Sequence, residues 1–187
     1  MVRRLRLAVG RREQIMSRPP SEFVHWPDGY APASARVYAH NELVIPTSPD
    51  RIWEWLVRAR QWPHWYPNSW SVKILKRSKR THGGQLKSGR EFNWITFGLP
   101  ITATVDQYDK PTTIGWTWHS RGWTGGASGY HIWLIEPQQS RCRVVTEETQ
   151  RGPLPSLLRF VLQPALHFAH QLWLRRLSKN AVRGLPR

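Results

Sequence analysis

The chain has a single cysteine, Cys142, so no internal disulfide can form. That excludes a small secreted scaffold held by bridges and suits a reducing, cytoplasmic compartment. Acidic residues are scarce: 12 Asp and Glu stand against 28 Lys and Arg, a formal net charge of +16. No apolar run reaches the roughly 18 residues that a membrane-spanning helix needs. The N-terminal stretch also lacks the apolar core and small-residue cleavage site of a secretory signal. A Gly-rich phosphate loop, a nucleophile pattern and a paired-carboxylate motif are all missing, which leaves the corresponding enzyme classes without support.

Aromatic and basic residues dominate what is present. Twelve tryptophans occur in 187 residues, and 40% of the chain is hydrophobic against 21% charged. That balance describes one globular domain with a core. Each buried indole removes about 150–250 Å² from water. The positive field attracts polyanions, whether lipid headgroups, nucleic acid or acidic proteins. Position along the chain decides among these uses.

Residues 1–35 form a basic extension (Arg3, Arg4, Arg6, Arg11, Arg12, then Pro19 and Pro20) with no sustained period. It is expected to lie outside the domain proper, residues 36–187, either flexible or ordered only on contact. From Tyr38 to Ile45 apolar and polar residues alternate as in a strand. Ser48, Pro49 and Asp50 then give a helix start, and Ile52, Trp55, Leu56, Ala59 and Trp62 keep helical spacing up to Pro63. A short helix or turn follows over His64–Asn68. Strands are predicted at Trp70–Arg77, Arg90–Phe97, Ile101–Tyr108, Thr112–Ser120, Tyr130–Glu136 and Arg143–Gln150. Their separators are rich in Gly, Pro and Asp, so antiparallel hairpins are expected. Pro155–Arg183 is the longest helical segment. Its apolar stripe is Leu158, Leu162, Ala165, Ala169 and Leu172, broadened by Leu166, Trp173 and Leu177. A break or kink is expected at Pro164, and Arg175, Lys179 and Arg183 share the wet face.

If Pro137–Ser140 is a four-residue loop, Glu136 lies opposite Arg141 and His131 opposite Thr146, with Glu148 diagonal to His131. One sheet face then carries His131, Trp133, Val144, Thr146 and Glu148. Phe92 and Trp94, and likewise Ile114, Trp116 and Trp118, alternate onto single faces. Rings repeated at this period fill a core or line a cavity.

The sequence resembles the START-like (SRPBCC, Bet v 1-like) superfamily, in particular its polyketide cyclase/dehydrase branch. The resemblance runs from Gly89-Arg90-Glu91-Phe92-Asn93-Trp94 through Pro100-Ile101-Thr102, Val105 and Ile114-Gly115-Trp116. It continues through His131-Ile132-Trp133 and Val144-Val145-Thr146-Glu147-Glu148 to Gly152-Pro153. Ile45-Pro46, Pro49, Ile52-Trp53 and Trp62-Pro63 with Trp65 resemble the family's opening, so the match spans Tyr38 to Arg183. It implies an α+β helix-grip fold: a curved antiparallel sheet of about seven strands around a long C-terminal helix, with two short helices after the first strand. Members hold lipids, polyketides or other apolar molecules between sheet and helix, and some close rings or dehydrate. Trp94, Trp116, His131, Trp133 and Glu148 match interior positions.

These readings name a candidate site. His131 and Glu148 are the acid/base pair, since a carboxylate beside an imidazole orients it for proton transfer. Phe92, Trp94, Trp116, Trp118, Trp133 and Thr146 are the expected ligand contacts from the sheet. Leu166, His170 and Trp173 are those from the helix. His167 and His170 have no carboxylate or cysteine near them in sequence, so no metal site is expected, nor any cofactor. The expected partner is an apolar small molecule that is bound, carried or sequestered, with a cyclase/dehydratase activity as the alternative. The basic residues Lys73, Lys76, Arg77, Lys79 and Arg80 add a third reading, an adaptor at an anionic membrane or nucleic-acid surface. Nucleic acid is disfavoured, because stacking on bases needs aromatics exposed beside the charges.

Overall fold

In a computed structural model of the chain, residues 24–75, 84–121 and 126–186 are described. The arginines of the N-terminal extension up to Arg12, and Lys76, Arg77, Lys79 and Arg80 of the basic run, lie outside these residues. The chain proceeds as β1 (Val37–Ile45), α1 (Pro49–Val57), a 3₁₀ turn at Ala59–Gln61 and α2 (Trp62–Trp65). Six further strands follow: β2 (Trp70–Ile74), β3 (Glu91–Thr96), β4 (Leu99–Asp109), β5 (Thr113–Ser120), β6 (Ser128–Gln138) and β7 (Arg141–Arg151). The chain ends with α3 (Pro153–Leu157) and α4 (Arg159–Arg183). All seven strands form one antiparallel sheet in the order β1-β7-β6-β5-β4-β3-β2. The first strand therefore pairs with the last, and the helices gather on one face, as the helix-grip fold requires.

Three local expectations are corrected. The helix expected from Pro49 to Trp62 breaks at Arg58, whose ψ of 60° leaves the helical region, and Pro63 falls in the first turn of α2 instead of stopping α1. A first turn tolerates proline because its N–H has no intrahelical partner there. The long helix breaks at Leu158, not at Pro164, and α4 runs through Pro164. The carbonyl freed by that proline belongs to Phe160, a residue 77% exposed, so water is at hand to satisfy it. The buried stripe of α4 is Leu166, Ala169, His170, Trp173, Leu174, Leu177 and Ala181, whereas Leu158 is 39% exposed.

The last hairpin is also tighter than expected. Gln138 pairs with Arg141, Glu136 with Arg143 and His131 with Glu148, two residues away from the four-loop register. Gln139 takes a positive φ of 52° in the two-residue turn. Pro137 lies inside β6, where a loop was expected. It sits past Leu134, the last β6 residue paired with β5, so its missing N–H breaks no ladder on that side.

A slip of two keeps face parity. His131, Trp133, Val144, Thr146 and Glu148 face the helix, and Trp133 and Val144 join one core with Ile52, Trp53, Trp62, Phe92, Trp94, Trp116 and Trp173. On the outer face Tyr130, Ile132, Leu134 and Val145 pack with Val24, Trp26 and Tyr30. The segment before β1 thus covers apolar surface that the sheet would otherwise show to water. Cys142 is buried, and its S–H donates to the carbonyl of Thr47 at 3.2 Å. Among the described residues no helix is long and apolar enough to cross a membrane.

Polar contacts fix α4 over the sheet. Asn41 Nδ2 on β1 donates to the His167 carbonyl at 3.1 Å and to Gln171 Oε1 at 3.0 Å. The amide of Gln163 bonds both backbone groups of Tyr38. Trp55 Nε1 on α1 donates to the Gly184 carbonyl at 2.8 Å, holding the far end.

Candidate functional site

Between α4 and the β3–β5 end of the sheet lies a cavity of about 60 Å³. Trp94, Trp118, Leu166, His170 and Trp173 line it, together with Glu148. Phe92, Trp116, Trp133, Thr146 and His131 stand behind this wall: the first three fill the core, and the last two support the polar end. Tyr66, Gln150, Leu154 and Pro155 also line the cavity, as do Thr96, Phe97 and Leu99 of the β3–β4 turn. None of these was singled out from the sequence. Gln150 was within reach, because it shares a face with Glu148 two residues earlier.

The aromatic wall is built from interlocked rings. Tyr66 stacks on Trp173 at 4.3 Å, and Trp62 meets Trp94, Trp116 and Trp173 at centroid distances of 5.2, 5.7 and 5.1 Å. Gly129, opposite Trp118 in the ladder, makes room for that indole. A Cβ there would come within 2.5 Å of Trp118 Cε2. The indole N–H groups of Trp94, Trp116, Trp133 and Trp173 are buried, with no hydrogen-bond acceptor among the described residues.

At the polar end, three side chains from three elements converge. The β6–β7 register sets His131 opposite Glu148, and the 3.6-residue period that buries Leu166 and Trp173 also turns His170 inward. His131 Nδ1 and His170 Nε2 each lie 3.1 Å from the same oxygen, Glu148 Oε2. The two imidazoles stack, with centroids 4.6 Å apart and planes at 20°. Gln150 Nε2 donates to the other oxygen, Oε1, at 2.8 Å, and His131 Nε2 is bonded to Thr146 Oγ1 at 2.7 Å. His131, His170 and Glu148 are 1%, 2% and 7% exposed, so bulk water does not compete.

Burial pushes His131 well below its ordinary pKa, and the neighbouring His170 adds to this, so its imidazole is neutral at pH 7. Burial also raises the Tyr66 hydroxyl, as does the Glu148 charge to a smaller extent. The unfolded chain protonates His131 near pH 6.5 while the folded chain resists, so its contribution to stability is complete above about pH 6.5. Below that value it is lost as pH falls towards the depressed folded pKa, with a slope approaching about 1.4 kcal/mol per pH unit. His167, shifted in the same direction but partly exposed, adds a smaller part. Urea unfolding between pH 7 and pH 5 should show this slope, and His131→Gln should flatten it. An unchanged slope in the variant contradicts a neutral buried His131.

The rim carries backbone strain. Phe97 and Gly98 form the two-residue β3–β4 turn with positive φ of 51° and 73°, and Phe97 N–H donates to Asn68 Oδ1 at 2.8 Å. Glycine takes that conformation freely, but a bulky residue pays about 1–2 kcal/mol. Phe97 is 41% exposed, so its ring is not held there by the core. Phe97→Asn should therefore raise the urea midpoint, worth about 1 kcal/mol, because Asn tolerates this region. An unchanged or lower midpoint would show that the ring's contacts at the rim outweigh the strain.

Comparison with known proteins gives the same architecture. No curated protein matches the chain by sequence. Among solved structures, a hypothetical protein of Helicobacter pylori superposes with a TM-score of 0.75 at 23% identity, covering 88% of this chain and 99% of that one. Norcoclaurine synthase of Thalictrum flavum, solved with dopamine and hydroxybenzaldehyde, superposes at 0.59 with 14% identity, over 80% and 88% of the two chains. DynU16, from the dynemicin biosynthetic locus, gives 0.57 at 14% identity over 80% and 48%. Residues 36–185 match the family described as polyketide cyclase / dehydrase and lipid transport, and with this fold and cavity the chain belongs to that family.

Proposed function

We propose that the protein binds and carries an apolar, ring-containing or acyl compound that bears an oxygen acceptor. The observation that carries this reading is the cavity wall. It is apolar on most sides, yet the buried indole N–H groups of its Trp94 and Trp173 have no acceptor among the described residues. Buried donors are nearly always paired, and a carbonyl or phenolic oxygen on a ligand would pair them. Glu148 and His170 form the polar end that would orient such a molecule. The cavity is smaller than the about 150 Å³ that accepts one benzene, so uptake requires the rim at Phe97, Leu154 and Pro155 to move.

The rim also favours exchange at a membrane. Leu157, Phe160 and Val161, at the α3–α4 corner beside the lining residues Leu154 and Leu162, are 79%, 77% and 66% exposed. Arg159 lies over the Phe160 ring at 4.5 Å. Apolar side chains next to a cation, on a chain of charge +16, suit an anionic lipid surface. Co-sedimentation with phosphatidylserine-containing vesicles should exceed that with neutral vesicles and fall when Leu157, Phe160 and Val161 become serine. Binding that is indifferent to both changes removes the membrane from the account.

A second reading, cyclase- or dehydratase-type proton transfer, is favoured by the neutral, buried His131 beside Glu148. For it, His131→Ala should abolish turnover of a ketide-like substrate while ligand affinity is kept. Equal loss of both would assign His131 to binding.

A further inference from the structure

The polar end holds more ligating capacity than a ligand anchor needs. His131, Glu148 and His170 offer two imidazole nitrogens and one carboxylate oxygen, all within 4.8 Å of one another. The two 3.1 Å separations are close to the donor–donor edge of about 3.3 Å expected for ligands placed 2.0–2.1 Å from a tetrahedral zinc ion. Among the described residues His131 Nδ1 makes no aligned hydrogen bond, although it lies 3.1 Å from Glu148 Oε2, so a buried ring nitrogen is aimed into the cluster.

The groups behind these atoms are arranged as outer supports of a metal site commonly are. Thr146 Oγ1 takes the remote nitrogen of His131, and Gln150 holds the remote oxygen of Glu148. Each contact turns the opposite atom toward the common point. Three ligands of this kind, two nitrogens and one oxygen, suit zinc or another first-row divalent ion and not calcium or magnesium, which prefer all-oxygen shells. The thiol of Cys142 is engaged with Thr47 and does not join the set.

We propose that His131, Glu148 and His170 form a binding site for a first-row divalent metal ion, zinc foremost, at the polar end of the cavity. Sequence order hides the site, because the three ligands come from β6, β7 and α4 and no two share a short motif. Glu148 and His170 belong to the cavity wall, so the bound ion would border the space where an oxygen-bearing ligand is proposed to sit. The site does not rest on the apolar-ligand reading. Uptake of an apolar dye by metal-stripped protein tests that reading separately.

The test titrates cobalt(II) and zinc(II) into the chelator-stripped full-length protein, with visible spectroscopy and calorimetry as readouts. One equivalent of cobalt should bind with ligand-field bands, and zinc should displace it. Glu148→Gln and His170→Gln, checked for folding by circular dichroism, should each weaken binding by about 100-fold or more. His167→Gln, on the same helix, should leave it unchanged. Should those variants fail to fold, X-ray absorption of the zinc-loaded wild type should show scattering from two imidazoles. No stoichiometric binding, binding unaffected in His170→Gln, equal loss in His167→Gln, or an all-oxygen shell would each overturn the proposal.

Discussion

Trp62→Ala is expected to lower the free energy of unfolding by about 3–5 kcal/mol, the range for deleting a large buried aromatic. Trp62 is fully buried, and its ring meets Phe92, Trp94, Trp116 and Trp173 edge-on or tilted. Its Nε1 donates to the Leu56 carbonyl at 3.0 Å, which ties α2 back to α1. The substitution removes one side of four aromatic contacts and leaves that carbonyl without its donor. Interlocked neighbours cannot collapse into the space without leaving their own rotamers. Urea unfolding should show the loss, and apolar-dye binding should rise as the void opens towards the cavity. A cost below about 1.5 kcal/mol would mean that the indoles repack freely, as in a loosely specified core.

The second large effect belongs to Glu148. Glu148→Ala removes the oxygen that His170 Nε2 bonds and that His131 Nδ1 approaches to 3.1 Å, and it strands the Gln150 amide, at a cost of about 3–5 kcal/mol. Glu148→Gln keeps an oxygen acceptor in nearly the same volume and should cost about 1–3 kcal/mol. The ordering separates a polar hub from a residue that only fills space. If alanine is tolerated as well as glutamine, the convergence on Oε2 contributes little to stability and the site's role is confined to ligand or metal.

Strand parity carried most of what was legible beforehand. Alternation placed His131, Trp133, Thr146 and Glu148 on one face, and a two-residue error in the hairpin left that set intact because side chains repeat every two residues. Pro137 misled because proline reads as a loop, while only the pairing with β5 shows that its position tolerates a missing donor. In α4, Leu166, Ala169, Trp173 and Leu177 of the expected stripe are buried, whereas Leu158 at the α3–α4 corner is exposed and Leu162, Ala165 and Leu172 are only partly covered. Local spacing cannot tell a core face from an apolar rim. The pairing of His170 with Glu148 joins residues 22 apart across helix and sheet, so no pattern along the chain announced it.

The central claim is that an oxygen-bearing apolar molecule occupies the cavity bounded by Trp94, Trp118, Trp173, His170 and Glu148. Native mass spectrometry of the protein as purified from cells, followed by extraction of whatever is bound, tests it most directly. The account predicts a stoichiometric apolar molecule carrying a carbonyl or hydroxyl oxygen, reduced in the Trp173→Ala variant. A clean mass for the protein alone, with no uptake from a panel of lipids and polyphenols, would contradict it.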